Sequence, residues 1–172
     1  MIWGAYDSYD PGVWGPWQDL PRREARAAFN RLMAARTERI EALKSLLALN
    51  GIDLRGTDAG LQDLNDWFRQ EVRPDPDLPG RMALDWYPVV NDVGLFLGDV
   101  MVERCPPVSW QFWTRGKTHV SYQRAVVAGF PTAWYSIDPL HLVATYGHRI
   151  VGGQQVEDDA FRQWTRAAES RT

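Results

Sequence analysis

A chain of 172 residues with 45% apolar and 24% charged residues is long enough for one domain with a genuine core, which excludes wholesale disorder. The net charge is -3 and basic residues do not interleave with aromatics, which argues against a nucleic-acid partner. No apolar run approaches the ~18 residues of a membrane span. Cys105, the single cysteine, has no internal disulfide partner, and the first ten residues lack the basic and apolar regions of a secretory leader, so a cytoplasmic protein is expected.

Residues 1–20 form an irregular arm in which Gly and Pro break any period while Trp3, Trp14 and Trp17 recur. Residues 21–172 are expected to form a single α+β domain. Disordered tails are poor in aromatics, so the arm is expected to dock, on its own domain or on a partner. A long helix follows over 21–50, opened by Asp19 or Pro21, closed by Gly51, and striped with Phe29, Leu32, Met33, Ile40, Leu43 and Leu47. Arg36 interrupts that stripe, as a snorkelling stem or as a guanidinium with a partner or ligand. Thr57 or Asp58 caps a second helix that turns Leu61, Leu64, Trp67, Phe68 and Val72 inward. The Pro-rich run 73–80 is a loop.

Residues 82–104 read as a third helix, with Pro88 kinking it or marking its start. Apolar side chains cover most of its circumference, the mark of a central helix. Gly94 and Gly98 leave a flat patch for a close neighbour, while Asp85, Asp92 and Asp99 recur every seven residues as an acidic seam. A hairpin is expected over 108–128, turning at "TRG", with Trp110 opposite Val120 and Phe112 opposite Thr118. In that register Trp110, Phe112, Val120 and Tyr122 face the core, while Trp113 and His119 lie on a half-open side. Asp138 caps a fourth helix with Pro139 at its first position and Gly152 as its stop. A fifth runs over about 157–169 and docks through Phe161, Trp164 and Ala168.

The fold class expected is therefore α+β: about five helices packed around a small antiparallel sheet, preceded by the Trp-rich arm. Chemistry is harder to find. His141 and His148 lie seven apart without a third ligand, and the seam aspartates lie about 10 Å apart along a helix at 1.5 Å per residue, so no metal is expected. Each seam carboxylate instead needs a partner such as Arg36, which makes Arg36, Asp85, Asp92 and Asp99 candidates for a buried ion pair or ligand contact. Cys105 sits at a helix C-terminus, where the dipole disfavours the thiolate. No nucleophile elbow, P-loop or dinucleotide fingerprint occurs, so no catalytic residue and no cofactor is assigned.

The stretches "GIDLRGTDAGLQDLNDWF", "LFLGDVMVER", "SWQF" and "DPLHLVATYGHRI", within residues 50–151, resemble small bacterial α+β domains of the immunity or accessory-protein kind. That resemblance implies a protein partner and no catalytic residues. The surplus of Trp and Tyr points the same way, since these side chains anchor interfaces. The function expected is a protein-binding domain whose partner is basic, matched to the acidic balance of the chain. Trp3, Trp14, Trp17, Trp113 and His119 are its expected contacts. The competing readings are a small enzyme or ligand-binding protein with an anion pocket at Arg36 and His119, and a structural subunit of an assembly.

Overall fold

The computed structural model of the chain describes residues 1–10, 12, 16–132 and 134–172. Among these residues five helices, α1 (Arg22–Leu49), α2 (Asp58–Glu71), α3 (Trp86–Arg104), α4 (Pro139–Val151) and α5 (Ala160–Glu169), surround three short strands, β1 (Ser109–Phe112), β2 (Ala125–Ala128) and β3 (Ser136–Ile137). The strands form one antiparallel sheet in the order β1-β2-β3. The chain is α+β with a small sheet.

Capping residues set the helix ends. Thr57 Oγ1 accepts from the Gly60 amide at 3.2 Å, and Asp138 Oδ1 accepts from the His141 amide at 2.9 Å with Pro139 next in line. Gly152 closes α4, its amide donating to His148. α3 begins at Trp86 with Pro88 in its first turn, so the proline marks a start and no kink is needed. Residues 73–83 make a closed turn, in which Asp75 and Arg81 pair across the loop and Ala83 donates to Arg73.

α3 is the axis of the molecule, touching α1, α4, α5, β1 and β2. Its all-round burial fits the apolar circumference read from the sequence. Gly94 and Gly98 explain the close approaches. A Cβ at Gly94 would lie 2.7 Å from Leu140 Cα in α4, and one at Gly98 would occupy the Trp110 indole ring. The main core gathers Phe68, Trp86, Tyr146 and Phe161, with ring centroids 5.7–6.2 Å from Phe68. β2 is buried on both faces: Ala125 and Val127 face the helices, while Val126 and Ala128 lie beneath Trp113.

The hairpin register differs from the expected one. Trp110 pairs with Val127 and Phe112 with Ala125, so residues 117–122 form no strand. Val120 is 56% exposed and is not core, nor does it face Trp110. The run Ala125–Ala128 offers four apolar side chains to two buried faces, whereas 117–122 carries Lys, Thr, His, Ser and Tyr around a single Val. Burial against the helices therefore overrides the local turn signal at Gly116.

Candidate partner-binding surface

The surface that stands out is the connection between β1 and β2. Beyond β1 the ladder continues by one step, with Trp113 N–H donating to Arg124 O at 3.0 Å and Gln123 N–H to Trp113 O at 2.7 Å. Gln123 takes a left-handed backbone (φ 63°) and is held there by its own side chain. Its Nε2 donates to the carbonyls of Trp17 and Leu20, 2.9 Å each, clamping the 3-10 turn Trp17–Asp19 of the arm against the hairpin. Within the loop, His119 N–H donates to Gly116 O and Tyr122 N–H to His119 O, giving two successive turns. His119 Nδ1 accepts from the Ser121 amide at 3.2 Å.

Trp113 is not half-open. It is 5% exposed and packs over Val126 and Ala128, with the His119 ring 6.2 Å from its own. Trp113 follows the two-residue alternation onto the far face of β2, where it covers small and branched side chains. Among the described residues the exposed indole is Trp134, in the segment between β2 and β3. It is 66% exposed and held at φ 67°, a conformation that costs a non-glycine residue about 1–2 kcal/mol. Arg115 joins the two rings, its guanidinium carbon 5.7 Å from the Trp113 centroid and 4.8 Å from that of Trp134.

Charge is segregated around this ladder. From Cys105 to Ile137 the sequence has no Asp or Glu but has Arg115, Lys117 and Arg124, so all 22 acidic residues of the chain lie elsewhere. Arg124 is taken up by Asp138 at 2.7 Å. Arg115 and Lys117 have no ion pair or hydrogen bond among the described residues. Sequence reasoning missed Arg115 and Trp134, although counting charge by segment would have exposed the acid-free stretch.

The acidic seam has a different role. Asp92 is fully buried and bound by Arg39, with Nη2 at 2.7 Å and Nε at 3.2 Å from the carboxylate, and by Tyr6 Oη at 2.5 Å. Burial pushes the Tyr6 phenol well above its ordinary range, with the Asp92 carboxylate adding to the effect. Arg36 pairs with Asp99 (Nε to Oδ1, 3.1 Å, off the line of a hydrogen bond), and Asp99 also accepts from Trp110 Nε1 at 2.7 Å. Asp85, at the N-terminal edge of α3, is exposed. The buried arginine of α1 is thus Arg39 rather than Arg36, because Arg39 is the one that meets Asp92 where α1 packs on α3.

The remaining sequence candidates disperse. Trp3 packs edge-on against Trp86 at 5.9 Å, so the start of the arm docks on the main core. Trp17 is half-buried beside Gln123, and Trp14 lies outside the described residues. An open groove of about 550 Å³ holds Arg36, Asp99, Val102, Glu103, Ser109 and Trp110, but His119 does not line it, so the expected anion pocket is not assembled. Burial raises the Cys105 thiol and lowers His141. Among the described residues no three His, Cys, Asp or Glu side chains gather as a metal site, and no helix is long and apolar enough to cross a membrane. The chain matches no protein-family model, no curated protein and no solved structure.

Proposed function

We propose that the protein is a cytoplasmic protein-binding domain of the immunity or accessory kind, and that it engages its partner through the Trp134–Arg115 surface. One observation carries this reading. A tryptophan two-thirds exposed on an unfavourable backbone, with an arginine stacked on it, combines the two side chains that most often dominate interface energetics. Strain at an exposed position contributes nothing to the core that Trp134 does not enter.

The test is retention of a partner from the producing cells on immobilised protein. Wild type and Trp3→Ala are expected to retain the same partner, whereas Trp134→Ala and Arg115→Ala lose it by about ten-fold or more. Equal retention by all four proteins refutes the reading.

A further inference from the structure

We infer that the occupant of this surface is a carboxylate-rich segment of another protein; this rests on the docking reading above and reverses the charge that the composition of the whole chain suggests. The cations decide it. The Arg115 guanidinium carbon lies within cation–π distance of two indoles, 5.7 Å from the Trp113 centroid and 4.8 Å from that of Trp134, while its N–H groups have no acceptor among the described residues. A guanidinium with unused N–H groups presents a planar fork matched to a carboxylate, and the two aromatic contacts reduce the side-chain freedom that binding has to order. Lys117 adds a second exposed charge two residues on, across Gly116. Of the carboxylates that reach the hairpin from outside it, Asp138 is taken up by Arg124 and Asp99 by Arg36 and Trp110, while Asp19 is carried by the arm turn that Gln123 holds. Trp134 supplies exposed apolar area beside Arg115.

A nucleic acid fits less well. A polyanion needs a track of cations along successive phosphates, and two free charges do not make one. Outside residues 105–137 the chain holds all 22 acidic residues against 16 basic ones, a field that repels an extended polyanion while tolerating a short acidic segment steered to one patch.

The sequence supplies its own reporter, because Lys44 and Lys117 are its only lysines, and Lys44 lies far along α1 beside Glu41. A carbodiimide couples an amine directly to a carboxylate without a spacer. Tagged full-length protein treated with it in extract of the producing cells is expected to yield cross-links from Lys117 to Asp or Glu residues of one partner segment. Trp134→Ala, Arg115→Ala or about 0.5 M salt, where screening lengths fall below ~5 Å, should reduce them roughly ten-fold and leave Lys44 products unchanged. A Trp134-dependent partner that yields no carboxylate coupling at Lys117 overturns the acidic occupant while leaving the docking surface intact. Retention abolished by nuclease, or Lys117 coupled to acidic residues of a second copy of this chain, overturns it as well. Absence of any Trp134-dependent partner overturns the docking reading and this inference with it.

Discussion

Arg39 and Asp92 form a charge pair buried on both sides at the contact of α1 with α3, their side chains 6% and 0% exposed and their nearest atoms 2.7 Å apart. A buried pair returns little net stability relative to apolar residues, but removing one partner strands the other charge. Arg39→Met and Asp92→Leu are each expected to cost about 3–5 kcal/mol, and the double substitution should recover most of that loss. Denaturant midpoints at constant m-value decide it; additive single effects would refute the pairing argument.

The same carboxylate fastens the arm. Tyr6 donates to Asp92, its ring lies 5.3 Å from the Arg39 guanidinium carbon, and the Asn50 side chain exchanges two 2.8 Å hydrogen bonds with the backbone of Ile2. Tyr6→Phe keeps the ring and loses only the hydroxyl, so about 1.5–3 kcal/mol should disappear, read as a Tm lower by several degrees. Deleting residues 1–10 should lower Tm further, since Trp3 leaves Trp86 as well. Unchanged midpoints in both would mean that the arm contributes no stability.

Asp58 gathers three helices: from the first turn of α2 it accepts from Arg104 of α3 at 2.9 Å and from Arg166 of α5 at 2.7 Å. Arg166 first, then Arg104, hold its carboxyl below the ordinary aspartate range. Because the folded value is depressed, the stabilisation is fully present above the unfolded value of about 3.9 and is lost as pH falls through the folded one. Asp58→Asn should cost about 1 kcal/mol or less at neutral pH, given its solvent exposure, and the two stability curves should converge in acid. A constant gap down to the lowest pH would contradict the ion pairing.

Gly94 and Gly98 permit different approaches, and alanine should separate them. At Gly94 the new methyl group meets the backbone of Leu140, which cannot yield without moving α4. At Gly98 it meets the Trp110 ring, whose displacement also breaks the bond to Asp99. Both substitutions are expected to destabilise by about 1–3 kcal/mol despite the better helix propensity of alanine, and Gly98→Ala should in addition change near-ultraviolet circular dichroism. A gain in stability at either position would show that α3 is not in close contact with Leu140 or Trp110 there.

Trp113 and Trp134, joined by Arg115, should respond oppositely to truncation. Trp113→Ala empties the far face of β2 and is expected to cost about 3–5 kcal/mol, whereas Trp134→Gly relieves a left-handed backbone and should stay within about 0.5 kcal/mol of wild type. Comparable losses would mean that Trp134 belongs to the core.

Much of the fold follows from local chemistry. Thr57, Asp138, Pro139 and Gly152 define helix ends by satisfying or terminating backbone hydrogen bonds within a few residues of themselves. The apolar circumference of α3 and its two glycines already require a central, closely packed helix. Three matters depend on contacts distant in the chain. Gly116 suits a tight turn, yet pairing begins at Ala125 because only that run can be buried on both faces. Arg36 and Arg39 lie within one turn of each other, and only the crossing of α1 over α3 puts Arg39 on Asp92 and leaves Arg36 at the rim with Asp99. Nothing near Trp134 in the sequence distinguishes it from the buried tryptophans. Its exposure, and the stacking of Arg115 between it and Trp113, arise where two loops from opposite ends of β2 meet, and the energy of that meeting is tertiary.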